Sequence, residues 1–226
     1  DQVYNGALTF LSSGTPSAGG NPAVANFSST SGNIAFLGTV SAGAGSKDAE
    51  RNLVVDASNG WVLINGQIGQ DLKGLNYQNG YLINGQPPRD VSPYALEIRA
   101  KTIKLFADVT TFESQTYIGS VLVGSNAWDP LSPTYQNTAA GSGFNGNTRL
   151  LVSVDPSITF NGTVDDADSY GEIHSLDARA ISLIPASNQT FETPSITLNG
   201  NVGSKSPLLN LSLATGTQDS STQALV

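Results

Sequence analysis

The sequence predicts an all-β chain wound as a right-handed parallel β-helix or related β-solenoid, interrupted by two loop insertions. Three observations predict it. Short strands alternate apolar and polar residues with no helical periodicity, the same Gly corner returns, and three sequence patterns recur in the same order.

The strands come first. Apolar and polar residues alternate over four to eight positions before Gly, Asn, Asp, Pro or Ser interrupts them. Ile34-Ala35-Phe36, Leu53-Val54-Val55, Trp61 to Ile64, Leu96-Glu97-Ile98, Ile103-Lys104-Leu105 and Val121-Leu122-Val123 read this way. So do Leu150 to Val154, Ile158-Thr159-Phe160, Ile181-Ser182-Leu183, Ile196-Thr197-Leu198 and Leu209 to Leu213. Short β-branched runs divided by turns define an all-β class.

The corners decide between a sandwich and a solenoid. The order apolar, any, apolar, any, Gly, any, apolar occurs at Ile34–Val40, Val62–Ile68, Ile158–Val164 and Ile196–Val202. Three of these copies carry Asn before the Gly, at Asn65, Asn161 and Asn199. The pattern predicts a strand end that bends through positive φ, which Gly and Asn tolerate, before the chain re-enters the core. Stacked coils make corners coincide and side chains form ladders, so all four corners are expected in one in-register stack. Coils of about 20–29 residues would give on the order of eight to eleven.

Two further patterns accompany the corner. One is Leu-x-apolar-x-Ala, at Leu53–Ala57 and Leu96–Ala100, with a related run at Leu176–Ala180. The other is Gln-x-aromatic, at Gln2-Val3-Tyr4, Gln115-Thr116-Tyr117 and Gln189-Thr190-Phe191. The period breaks at about 70–93 and 125–147, two insertions expected to project as loops from a single continuous solenoid segment spanning 1–226.

Together these motifs resemble the repeats of filamentous-haemagglutinin-type exoproteins, large bacterial adhesins secreted by two-partner or related outer-membrane routes. The resemblance covers most of the chain outside the two insertions and the residues after Ala214. It implies a secreted, cell-surface β-helical stalk or fibre serving attachment, aggregation or biofilm. The family's amino-terminal secretion domain has no counterpart here, so the segment is expected to be an interior or distal part of a longer protein. A self-assembling extracellular matrix or sheath protein, and a carbohydrate-active β-helix enzyme, are the alternatives carried forward.

Composition narrows the partners. The formal charge is −8, with 10 basic and 18 acidic residues, which disfavours nucleic acid and anionic membranes. No apolar run reaches the roughly 18–20 residues of a membrane span. With no Cys, disulfides and thiolate chemistry are excluded. The expected partners are other copies of the chain, end to end or laterally, and cell-surface or matrix glycans.

No catalytic, cofactor or metal site is expected. His174, the sole histidine, is read as a solvent-facing strand residue, because no Gly-x-Ser-x-Gly elbow accompanies it. Asp165-Asp166-x-Asp168 is read as a solvated acidic turn rather than a cation site, since it lacks the spacing of known calcium loops. Arg51, Arg89, Arg99, Arg149 and Arg179 are scattered, with Arg99 and Arg179 expected to stack on one outer face beside Glu97 and Asp177. The β-helix fold also hosts enzymes, so fold alone does not decide chemistry.

Aromatics in the insertions are the binding candidates: Trp128, Tyr135 and Phe144, with Tyr77, Tyr81 and Tyr94 beside them. The competing reading folds them back over an apolar flank. Asn26, Asn161, Asn188 and Asn210 begin Asn-x-Ser/Thr triplets, whose chance occurrence in so Asn/Ser/Thr-rich a chain is the default reading.

Overall fold

The computed structural model describes residues 1–10, 23–42, 51–69, 92–124, 148–153, 157–167, 174–183 and 194–218. Within them the chain is all-β, without helix, and every strand pairing is parallel. Parallel neighbours cannot be joined by a tight hairpin, so each connection must carry the chain back to the starting edge. The arrangement is compatible with a solenoid.

The strands are β1 (Gln2–Tyr4), β2 (Leu8–Phe10), β3 (Ala23–Ser28), β4 (Ile34–Phe36), β5 (Val40–Ala42) and β6 (Arg51–Ile64). They continue with β7 (Leu96–Leu105), β8 (Val109–Thr111), β9 (Gln115–Val123), β10 (Thr148–Ser153) and β11 (Ser157–Asn161). The last are β12 (Val164–Asp166), β13 (Ser175–Leu183), β14 (Ser195–Leu198) and β15 (Leu211–Gln218).

Three ladders are revisited in a fixed order. The first holds β3, the front halves of β6, β7 and β9, then β11 and β14. The second holds β1, β4, the back halves of β6, β7 and β9, then β12 and Val202. The long strands β6 and β7 serve both, and the register shifts between Ala57 and Trp61 and between Arg99 and Thr102 mark where they pass from one to the other. The third runs β2, β5, Ile68, β8, β10, β13 and β15.

The alternation found in the sequence becomes the core. On the second ladder the inward rungs are Ile34, Val62, Ile103, Val121 and Val164, and beside them Phe36, Ile64, Leu105 and Val123. On the first they are Leu53, Leu96 and Ile158, and beside them Val55, Ile98, Tyr117 and Phe160. All of these side chains are buried. Matching rungs also bring rings together: Tyr4 stacks on Phe36 at 5.2 Å and Tyr117 on Phe160 at 5.1 Å.

The expected single stack of four corners is not what forms. Ile34–Phe36 pairs with Val62–Ile64 on the second ladder, whereas Ile158–Phe160 pairs with Ser195–Leu198 on the first. The corners therefore make two columns, Gly6-Gly38-Gly66 and Gly119-Gly162-Gly200, at different bends of the winding. Leu53–Ala57 and Leu96–Ala100 do pair residue for residue, but Leu176–Ala180 lies on the third ladder. Among the described residues the second ladder is visited seven times (β1, β4, β6, β7, β9, β12, Val202), and the insertions expected at about 70–93 and 125–147 lie outside the described residues except for 92 and 93.

The reason for glycine at these corners also differs from the expected positive φ. Only Gly69, Gly119 and Gly203 have it among the described glycines. A Cβ on Gly66 would stand 1.9 Å from the Gly38 carbonyl oxygen, and one on Gly38 would stand 2.3 Å from that of Gly6. Gly162 and Gly200 meet the carbonyls of Gly119 and Gly162 at 2.1 and 2.3 Å. Glycine is demanded by the closeness of the winding beneath it. At Gly6, by contrast, a Cβ would meet nothing within 4 Å.

Gly66→Ala is therefore expected to lower stability by about 2 kcal/mol, the scale of overpacking against unyielding backbone. Gly6→Ala is expected to change it by less than ~0.5 kcal/mol. Chemical denaturation of the two variants checks this.

Candidate functional site

The Gln-x-aromatic motif builds a small polar insert in the core. Gln115 takes an inward position in register with Leu96 and Ile158, and is fully buried. Its Oε1 accepts the Tyr117 hydroxyl at 2.8 Å and its Nε2 donates to the Val152 carbonyl at 2.8 Å, tying the first ladder to the third. Gln2 and Tyr4 repeat the device, with Tyr4 OH to Gln2 Oε1 at 3.0 Å and Gln2 Nε2 to the Ser28 carbonyl at 2.7 Å. Burial pushes the Tyr117 phenol far above its ordinary value, so it stays a donor. The Gln189 copy lies outside the described residues.

The main concentration of chemistry is at β12. Asp166 stands on the inward rung occupied by Val123 one winding earlier, and it is buried. His174 answers it: ring Nδ1 lies 2.8 Å from Asp166 Oδ1, and the His174 backbone N–H donates to Oδ2 at 3.0 Å. The expected solvent-facing His174 is in fact fully buried, at 0% exposure. A carboxylate on an apolar rung needs a partner of this kind, which is the physical reason for the correction.

Asp165 points the other way along the strand, yet it too is buried. Its Oδ1 accepts the Lys205 N–H at 2.9 Å and the Ser204 hydroxyl at 3.4 Å. The expected solvated acidic turn is thus a covered strand, because residues 204–206 close over it. Burial alone would raise the carboxyl, but hydrogen bonds from Lys205, Thr163, Ser206 and Ser204 outweigh it and hold Asp165 below its usual 3.8. Asp165 and Asp166 serve separate partners, and Asp168 lies outside the described residues. No group of three metal-binding side chains gathers among the described residues.

The arginines divide similarly. Arg99 pairs with Glu97 on the first ladder and Arg179 with Asp177, 2.7 Å away, on the third. They do not share the one outer face expected of them, because the two Leu-x-apolar-x-Ala strands sit on different ladders. Arg149 is buried, and its Nε donates to the Gly124 carbonyl. Beside it Asp108 accepts the Leu150 N–H at 3.0 Å. Arg89, and the side chain of Arg51, lie outside the described residues.

Of the aromatic candidates, only Tyr94 is among the described residues. It is half-buried and stacks on Phe112 at 5.6 Å, the folded-back arrangement. Trp128, Tyr135, Phe144, Tyr77 and Tyr81 lie outside, as does Asn188. Asn161 is exposed, with its Oδ1 accepting from Asn199 at 2.7 Å. Asn210 and Asn26 are exposed as well.

The His174–Asp166 pair has the geometry of a general base with its orienting acid, and sequence reading passed over it. The signal was available: Asp166 follows Val164 at the alternation period of a strand, so it points inward, and the lone histidine follows shortly after. Both side chains are buried, with 0% of His174 and 2% of Asp166 exposed. The pair joins β12 to the approach of β13 and, through the His174 carbonyl, to the Leu209 N–H.

No protein-family model, curated protein or solved structure matches the chain.

His174→Ala is expected to cost about 3 kcal/mol, since it leaves a buried carboxylate without its side-chain partner. Denaturant unfolding measures it. Asp165, with its folded value lowered, contributes stability that is present at neutral pH and above its unfolded value. That contribution is lost as pH falls through the folded value. The wild type is therefore expected to lose stability more steeply than Asp165→Asn below about pH 4, read from melting temperatures across an acid series.

Proposed function

We propose that the chain is a non-catalytic stalk or fibre segment of a secreted bacterial surface adhesin, folded as a right-handed parallel β-helix. The observation that carries this reading is the fixed order in which, among the described residues, the chain returns to the same three parallel ladders. Such a stack joins every winding to its neighbours by backbone hydrogen bonds along one axis. It suits a part whose work is to hold other parts at a distance from the cell.

Two features support a mechanical role. The concentrated polar groups, Gln115-Tyr117 and Asp166-His174, face inward and link ladders. Glu97 and Arg99 pair locally at the surface, a contact worth little energy, while Asp177 is buried and held by Arg179. The motifs resembling filamentous-haemagglutinin-type repeats add secretion, the cell surface and attachment to the reading. No helix among the described residues is long and apolar enough to cross a membrane.

The test is made in the producing bacterium with the full-length protein. Immunogold microscopy with antibodies to this segment is expected to label the cell surface, and in-frame deletion of the segment to reduce attachment or aggregation. Labelling confined to the cytoplasm would overturn the reading. So would turnover of a polysaccharide by the purified chain that a single carboxylate substitution abolishes.

A further inference from the structure

Asn precedes glycine at corners of both columns, and such a pair carries its own chemistry. The backbone nitrogen that follows an asparagine can close a five-membered ring on the side-chain carbonyl carbon. When that nitrogen gives up its proton and attacks, ammonia leaves and a succinimide forms, which water opens to aspartate or isoaspartate. Glycine in second place removes the Cβ that would hinder the attack. Two things then set the rate. One is whether the glycine nitrogen is free, and the other is whether a donor meets the oxygen on which negative charge builds.

The corners differ on both counts. At Asn65-Gly66 the Gly66 N–H donates to the Phe36 carbonyl at 3.0 Å, so the nitrogen is held by the neighbouring winding. Asn65 Oδ1 is buried and has no hydrogen-bond partner, so no donor meets the developing charge. At Asn161-Gly162 the Gly162 N–H has no backbone acceptor among the described residues. Asn161 is exposed to water, and its Oδ1 accepts the side-chain amide of Asn199, from the next winding, at 2.7 Å. That donor stands on the atom that becomes the oxyanion.

We propose that Asn161 is a self-modification site, converted to aspartate or isoaspartate by attack of the Gly162 nitrogen, with Asn199 donating to the oxyanion. The substrate is the chain itself and the only co-reactant is water. The bond from the Gly162 nitrogen to Asn161 Cγ forms, the Cγ–Nδ2 bond breaks, and the Gly162 proton departs with the ammonia. Hydrolysis then reopens the ring. A carboxylate replaces a neutral amide at the surface. Isoaspartate also routes the backbone through the side chain, one carbon longer than before. It does so at a corner where a Cβ on Gly162 would already stand 2.1 Å from the Gly119 carbonyl oxygen. Modification here therefore loosens one winding from the next. The inference rests on stacked windings and not on the adhesin assignment, which the cell-surface experiments address separately.

Ageing of the purified chain at mildly alkaline pH, followed by peptide mass mapping, tests it. In the folded chain position 161 is expected to convert at least ~10-fold faster than position 65. In urea both Asn-Gly pairs lose their surroundings and are expected to convert at similar rates. Asn199→Leu keeps the size of the side chain but removes the donor, and is expected to slow conversion at 161 several-fold. An unchanged melting temperature shows that this variant is folded. Equal rates at 161 and 65 in the folded chain overturn the inference. A gap that persists in urea does so as well, as does a folded Asn199→Leu chain that converts at the wild-type rate.

Discussion

The structure depends on how closely one winding's backbone lies on the next at the corners. Between strands, parallel neighbours keep the usual ladder spacing with side chains turned in or out. At Gly38, Gly66, Gly119, Gly162 and Gly200 the chain has no room even for a methyl group. Glycine there lets the corner of each winding sit on the carbonyl below. The flanking strands can then stay in register, and the rungs Ile34 to Val164 and Phe36 to Val123 coincide.

That register sets what the core will accept. A rung position surrounded by Val, Ile, Leu and Phe takes a polar residue only when all its hydrogen-bonding demands are met nearby. Gln115 meets them through Tyr117 and the Val152 carbonyl, and Asp166 through His174. Val152 belongs to the third ladder, and His174 leads into it. These polar inserts therefore fix how the ladders sit against each other, a matter on which aliphatic rungs are indifferent.

Much of this was legible in the sequence, and the part that was not has a physical reason. Alternation gave the strands and their inward residues, since a period of two survives any arrangement of the coils. Leu53–Ala57 and Leu96–Ala100 were rightly matched, but Leu176–Ala180 and the later Asn-Gly corners fall at other bends. Similar local chemistry suffices at every bend where windings touch, so motif likeness does not say which bend is meant. The burial of Asp165 and His174 was hidden for another reason. It depends on the 204–206 connection closing over Asp165 and on Asp166 meeting His174, contacts that strand periodicity does not encode.

The central claim is that successive windings lie parallel and in register. The chain has no cysteine, so introduced pairs report cleanly. Thr159 and Thr197 face each other across β11 and β14, while Thr159 and Ser212 stand on different ladders. With a short thiol cross-linker, Thr159→Cys/Thr197→Cys should link in high yield within one chain and Thr159→Cys/Ser212→Cys should not. Equal yields, or no link in the first pair, would contradict the account.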